Sequence, residues 1–400
     1  MNRLPGGCTH VGGDLASAME ECRKTFHSLF CRWGYTPFLP SGLQLLESTW
    51  DRLPVSFRQK LITLSSPYGE PCCLRGDITL AAVAHLASHH SPTDRPLRIC
   101  YSDRVYVRGE RPRQSMESFQ IGAELVGGEW PGADVEMLLL LLRFLEEIGL
   151  DESVLVLGDA AFIDGALSGM DSATAGQIVE SLGRRSLVDY CRILGEHEFF
   201  GRQGAILEIL PRLQGGSEVI EEASRLLEDD TPLISLRSIV ATLKSLGCGD
   251  RVTVDLSLVR ELGYYSGPLF EVYSGSYGQP VGGGGRYDRL LSLCGLGGQA
   301  TGFGLDLQQI ASLSKFKSSP SSVMAWSADL SPDEALRRAD RLAATEDRLE
   351  MSWGLDRDSS IKSAVNKGCS CWIDLSDGSK IELDQERRNS TYIGKGSFSC

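Results

Sequence analysis

Apolar residues recur every three or four positions through Leu15, Met19, Cys22, Phe26, Leu29 and Trp33, and the run stops at Gly34. That period predicts an amphipathic helix, capped by Asp14, whose apolar stripe docks on a sheet. Residues 35–40 are then extended, because each of the two prolines disfavours helix in the residue before it. Residues 61–64 and 72–75 read as antiparallel strands around the turn residues 66–69. Residues 76–79 lead into an alanine-rich helix ending near Ala87. Two longer strands, 98–108 and 119–126, are joined by a polar loop, and Asp134 is expected to cap a helix over 135–148. A strand over 154–157 follows.

From 160 to about 246 the pattern is helical with Gly, Ser and Asp breaks, which predicts an inserted helical subdomain. Strand patterns resume at 252–255 and 269–273, and a helix over 305–313 runs into the polar linker 314–322. Beyond it, residues 323–400 read as a small α/β unit with a polar tail from 384. Antiparallel strands with flanking helices, a helical insert and a small terminal unit make an α+β protein with a core over 1–313. No strand-GxGxxG-helix order is present, so a dinucleotide fold is not predicted.

Composition narrows the chemistry. Lys and Arg total 40 against 53 Asp and Glu, a net charge of -13, which removes the basic excess that drives nonspecific nucleic-acid binding. The 12 cysteines show no CxxC spacing, so reduced thiols in a cytosolic protein are expected rather than a metal site or a disulfide framework. His85, His89 and His90 read as surface or packing residues. No signal peptide is evident, and the longest apolar run, 137–142, is far short of the ~20 residues that span a bilayer. No membrane partner and no cofactor are predicted.

The chemistry concentrates in residues 255–288. Four glycines, Gly282 to Gly285, precede Arg286, Tyr287 and Asp288. A glycine run ordinarily marks a turn, or a place where the backbone approaches something closely. Here it sets a cation, a phenol and a carboxylate beside bare backbone, a plausible wall for a small zwitterion. Asp77 and Thr79 follow a predicted strand, Arg108 ends another, and Gln120 and Glu124 share one face of the next. With Arg260, Tyr264, Tyr265 and Tyr287 they offer a pocket for an amino acid with a polar side chain. Alternation on a strand would leave one of Tyr264 and Tyr265 for packing, with Tyr265 the ligand residue. Arg260 either faces the pocket or pairs with Glu261 or Glu271.

These residues resemble the catalytic core of histidyl-tRNA synthetases, a class II aminoacyl-tRNA synthetase fold. LVRELGYYSGPLFE at 258–271 is similar to the histidine-specific signature of that family, and GGGGRYDRLL at 282–291 to its glycine-rich companion. VRGERP and FQIGAE resemble the two strands of class II motif 2. The resemblance implies that Asp77, Thr79 and Gln120 hold an α-amino group and Arg108 a carboxylate. Glu124 and Tyr265 would take the two imidazole nitrogens, and Tyr287 would close the pocket. It also implies a homodimer through a helix and strand near 14–40.

The departures point elsewhere than to a synthetase. Gln309 stands where the resemblance puts an ATP-binding arginine, and an amide has no charge for phosphate. Gln114, Ser115 and Met116 replace basic loop residues, Glu261 and Gly263 depart from the signature, and the C-terminal unit is short for an anticodon-binding domain. Arg111 and Arg113 read as solvated loop charges. A synthetase core keeping its histidine pocket resembles the regulatory subunit family of ATP phosphoribosyltransferase. That implies a noncatalytic partner of a short-form catalytic subunit, in a hetero-oligomer, involved in histidine feedback. The alternatives are a working histidyl-tRNA synthetase and a free-standing synthetase-like sensor of histidine or tRNA.

Overall fold

A computed structural model describes residues 4–109, 115–197, 199–227, 230–260, 262–316, 323–346 and 348–383. The chain divides into two compact units, Met1–Phe316 and Lys317–Cys400.

In the first unit, helix α1 (Gly13–Arg32) leads to strands β1 (Thr36–Pro37) and β2 (Leu43–Leu45) and two short helices, α2 (Leu46–Trp50) and α3 (Val55–Arg58). Strands β3 (Thr63–Ser65) and β4 (Pro71–Leu74) precede helix α4 (Ile78–His89). The long hairpin β5 (Leu97–Tyr106) and β6 (Glu117–Val126) is followed by α5 (Gly132–Glu147) and β7 (Val154–Asp159). The insert holds α6 (Ala160–Ala166), α7 (Ser172–Gly183), α8 (Leu187–Glu196), α9 (Gly201–Ile209), the two-residue β8 (Gln214–Gly215), α10 (Glu218–Ser224) and α11 (Thr231–Ser245). Strands β9 (Val252–Asp255), β10 (Pro268–Tyr273) and β11 (Pro280–Arg286), helix α12 (Asp288–Leu293), strand β12 (Ala300–Asp306) and helix α13 (Leu307–Leu313) complete it.

These strands form a nine-stranded sheet in the order β1-β5-β6-β12-β11-β10-β7-β9-β8, antiparallel except for the β1–β5 and β7–β9 pairs. Strands β2, β4 and β3 make a separate small sheet. One face of the large sheet packs on α1, α5 and α13, because their apolar stripes meet the alternating Phe303 and Leu305 of β12. Phe26 stacks on Phe30 at 4.3 Å and meets Phe144 edge-on at 5.2 Å, locking α1 to α5. Each such buried ring contributes about 1.5–3 kcal/mol by leaving water. The opposite face is the one that carries the candidate chemistry.

Several expectations are corrected. Asp14 does not cap α1, whose N-cap is Gly12 without a side-chain bond, and Trp33 is 48% exposed at the end of the stripe. Asp134 lies inside the first turn of α5 rather than at its cap, because its carboxylate is drawn into a buried ion pair with Arg286. Leu61 makes only an isolated bridge to Val107, and the strand begins at Thr63. The C-terminal helix of the core starts at Leu307, where Asp306 accepts from the Gln309 amide, since β12 runs on through Asp306. The start of the expected linker is packed: Ser314 is buried and the Lys315 amide donates to the Ile148 carbonyl at 2.9 Å. Residues 317–322 of that linker, Glu261, Arg111, Arg113, Gln114 and the tail from 384 lie outside the described residues.

The largest correction concerns the glycine run. It is no turn: Gly282 to Gly285 form the body of β11, in the middle of the sheet between β10 and β12. The close-approach reading is the one that applies, because a Cβ at Gly284 would strike the Gly302 carbonyl and lie 2.7 Å from Phe303 Cα. Gly284→Ala should therefore force the strands apart and destabilise the unit by about 1–3 kcal/mol or more, measured as a lower denaturant midpoint.

The second unit has a sheet in the order β14 (Leu349–Met351), β13 (Val323–Trp326), β15 (Cys371–Asp374), β16 (Lys380–Glu382), with helices α14 (Pro332–Ala343) and α15 (Arg357–Lys367). Trp372, fully buried, donates from its indole to Ser360 at 2.8 Å and anchors α15 on this sheet.

Candidate functional site

Glu124 is the centre of the site. It sits on β6 with no exposed surface and faces away from the helical core, opposite Gly302 of β12. Three hydroxyls converge on its carboxyl: Thr79 donates at 2.7 Å and Tyr101 at 3.2 Å to Oε1, and Tyr287 donates at 2.7 Å to Oε2. Thr79 is delivered by the first turn of α4, whose cap is Asp77, accepting from the Leu80 amide at 2.7 Å. Tyr264 donates to the second oxygen of Asp77 at 3.3 Å. The ring of Tyr264 lies 5.1 Å from Tyr265 and 6.1 Å from Tyr287. Two buried carboxyls thus stand inside a cage of phenols.

Burial pushes the Glu124 carboxyl up to about 8, against the hydrogen bonds from Tyr287 and Thr79 that favour its charged form. Burial likewise pushes Asp77 up to about 6, opposed by the Leu80 amide and Tyr264. A pocket that holds acids short of charge compensation suits a ligand carrying N–H donors or positive charge. The phenols of Tyr264, Tyr265 and Tyr287 are themselves raised by burial, so they remain neutral donors and acceptors.

The glycines make room for these groups. A Cβ at Gly302 would overlap the Glu124 carboxylate, one at Gly304 the Gln120 amide, and one at Gly283 the Arg260 guanidinium. A Cβ at Gly122 would lie 2.6 Å from the Tyr101 hydroxyl. Side chains of one strand therefore occupy the space that glycines of the next leave open, and the site is floored by backbone. Only glycine satisfies both demands at once.

Of the nine residues expected in the site, Asp77, Thr79, Glu124, Tyr264, Tyr265 and Tyr287 form one contiguous cluster. Gln120 shares the Glu124 face over Gly304. Arg260 does both things foreseen for it: it lies 5.9 Å from the Tyr265 ring, and its guanidinium stands 3.9 Å from Glu271 and donates to the Phe270 carbonyl at 3.3 Å. Arg108 is different. It lies beyond the end of β5, is exposed, and is fixed through its amide to the Lys60 carbonyl at 2.7 Å. Among the described residues no hydrogen bond joins its guanidinium to the other eight. The tyrosine pair also departs from expectation, since 264 and 265 lie before β10 begins, Tyr264 in a turn, and both are buried here.

Two residues escaped sequence reasoning. Tyr101 pairs across the hairpin with Gly122, so strand alternation in FQIGAE already placed whatever faces Gly122 between Gln120 and Glu124. Arg75, only 1% exposed, ties the site's edge together by donating to the carbonyls of Pro40 at 2.6 Å, Ser41 at 2.9 Å and Arg104 at 3.1 Å. Nothing in its local sequence marks it as buried. His85 and His89 stack on each other at 4.3 Å beside Phe38, a packing arrangement. Among the described residues no group of three or more His, Cys, Asp or Glu side chains could hold a metal ion.

This sheet, its glycine floor and the acid in a tyrosine cage define a class II synthetase-type core of the histidyl kind. The family model for histidyl-tRNA synthetase matches residues 7–310. Among curated relatives, the ATP phosphoribosyltransferase regulatory subunit of Shouchella clausii is 32% identical, over 78% of this chain and 80% of its own length. That of Geobacter sulfurreducens is 31% identical, over 75% of this chain and 70% of its own. The solved ATP phosphoribosyltransferase regulatory subunit/histidyl-tRNA synthetase of Bacillus halodurans superposes with a TM-score of 0.80 at 25% identity, covering 94% of this chain and 97% of that one. A histidyl-tRNA synthetase from a Nostoc species shares the fold, with a TM-score of 0.76 at 17% identity over 97% and 98% of the two chains. The chain belongs to the family of ATP phosphoribosyltransferase regulatory subunits, built on a histidyl-tRNA synthetase core.

Proposed function

We propose that this protein is a noncatalytic regulatory subunit that binds histidine in the Glu124 pocket and adjusts the activity of a short-form ATP phosphoribosyltransferase catalytic subunit. In that reading the partner joins ATP to phosphoribosyl pyrophosphate, and this chain, as a homodimer within a hetero-oligomer, supplies activation and feedback. The observation that carries it is the contrast between the Glu124 cluster and the position where the synthetase resemblance puts an ATP-binding arginine. In the cluster, Thr79 and Tyr287 donate to Glu124 and Tyr264 to Asp77, which supports a preformed amino-acid end. Imidazole has two distinct nitrogens, and one carboxyl plus one phenol satisfies both. Asp77 and Gln120 would receive the α-amino group, and exposed Arg108 would meet the carboxylate.

Where the resemblance puts that arginine, the chain has a neutral amide. Gln309 lies in the first turn of α13, and its buried Oε1 has no donor among the described residues. An arginine at that point would supply charge to phosphate oxygens; the amide leaves that charge unmet. Exchange of pyrophosphate into ATP in the presence of histidine should therefore stay at background for the purified chain. Exchange at a synthetase-like rate would overturn the noncatalytic reading and favour the ligase.

Coupling between sites is typically ~1–3 kcal/mol, so histidine should change partner activity by a factor of about 5–150. Tyr265→Phe removes one phenolic partner without emptying the space. It should weaken the histidine response roughly tenfold while leaving assembly with the catalytic subunit intact, measured by turnover and by sedimentation of the mixture.

A further inference from the structure

A cavity of about 270 Å³ lies where the helical insert meets the sheet, between the α7–α8 corner, the ends of β8 and β9, and Glu271 of β10. Its wall is aliphatic on one side, from Leu182, Leu187, Pro211, Leu258 and Val259. Its corner is pinned by Arg185, the one non-glycine residue with positive φ (54°) among the described residues. That conformation is uncommon for a residue with a side chain. It is held because the guanidinium reaches Glu271 at 2.9 Å and the Tyr273 hydroxyl at 2.7 Å.

The polar groups that line this cavity have mostly spent their donors. Ser181 donates to the Ile178 carbonyl, Ser186 to Asp189 and Tyr190 to the Leu207 carbonyl, each at 2.7 Å. The Gln214 amide donates to Ser257 at 3.5 Å, and Ser257 donates in turn to Asp255 Oδ1 at 2.6 Å. Arg185 is committed to Glu271 and neutralises it. What remains is acceptor capacity. Asp255 is only 6% exposed, its Oδ1 also takes the Ser257 amide, and its Oδ2 has no hydrogen bond among the described residues. Asp255 lines the cavity, so that oxygen is open to it and can accept a hydrogen bond from a ligand held there.

We infer that this cavity is a site for a small organic ammonium ion with a short aliphatic body, its N–H donors on Asp255 and its hydrocarbon along the leucine wall. The donor inventory selects the class. An anion would face Asp255, while the lining cation, Arg185, is already paired with Glu271, and a neutral alcohol would gain no charge-assisted bond. The site stands apart from the Glu124 pocket, and the inference does not depend on histidine binding there.

Isopentylamine and isopentanol, matched in shape, are the probes, titrated at pH 7.5 into the full-length chain with ligand-detected NMR. The amine is expected to bind at least about tenfold more tightly than the alcohol. Asp255→Asn keeps the acceptor for Ser257 but removes the charge, and should weaken the amine by a similar factor. Leu187→Trp, at a wall position 60% exposed, should block both probes by filling the space. Glu124→Gln should leave amine binding unchanged. Equal binding of amine and alcohol, or an amine affinity that survives Asp255→Asn, overturns the inference. Should Asp255→Asn fail to fold, amine binding that persists in Leu187→Trp overturns it equally.

Discussion

Glu124→Gln is expected to raise the stability of the ligand-free protein at neutral pH while abolishing its response to histidine. The reason is that the wild-type carboxyl is held up to about 8 by burial, against an ordinary value of 4.5. Folding at pH 7 must therefore keep a proton that the unfolded chain would release. For a raised acid, the proton-bound form suits the fold. The penalty is absent below pH 4.5, grows as pH rises, and levels off above about 8. The amide carries no such penalty, and the hydroxyls of Thr79, Tyr101 and Tyr287 can rotate to meet it.

The gain should be on the order of 2–3 kcal/mol at pH 7 and should vanish near pH 4.5. Wild-type melting temperature should fall between pH 5 and 8.5, and the variant should lose the Glu124 share of that fall. Asp77 and the α6 cap Asp159, pushed by burial up to about 6 and about 7, contribute to the rest, together with Asp134, Asp288 and Asp306, which burial also raises. Histidine titrations read by calorimetry give the second arm, with no heat expected from the variant. A variant that is less stable than wild type at pH 7 would show that Glu124 is ionised and compensated in the empty pocket. Stabilising the empty site by removing its function is the pattern expected where a group is kept for binding rather than for folding.

The second large effect is at the buried pair Arg286–Asp134, 5% and 4% exposed, which joins the end of β11 to the first turn of α5. Arg286→Met should destabilise the first unit by about 3–5 kcal/mol, because it strands the carboxyl of Asp134 in the core. The loss should shrink as pH falls and Asp134 takes up a proton, which separates a charge effect from lost packing. The double replacement Arg286→Met with Asp134→Leu should recover most of the stability. Nε and Nη1 of Arg286 have no hydrogen bond among the described residues, so the pair is incompletely satisfied to begin with. Urea unfolding of the three variants at pH 5.5 and 8 tests both statements. If the single variant unfolds like wild type, the pair does not hold the sheet to α5.

The chain's local pattern determined a good deal. The period-three-to-four stripe of residues 15–30 made α1, and the alternation in FQIGAE set Gln120 and Glu124 on one face of β6. Short-range chemistry also made Asp77 a helix cap, with its second oxygen turned to the site, where Tyr264 donates to it. Such features depend on neighbours within a turn or a strand, where spacing alone decides which way a side chain points. What the chain could not declare by itself was set by partners far away in sequence. The glycine run is a strand because β10 and β12 flank it, and it stays glycine because side chains of other strands fill the space a Cβ would take. Asp134 left its capping role for Arg286, 152 residues on, and Tyr101 joined Glu124 only through the β5–β6 register. Burial, which sets the charge of Glu124, is a property of the packed whole and belongs to no segment of the sequence.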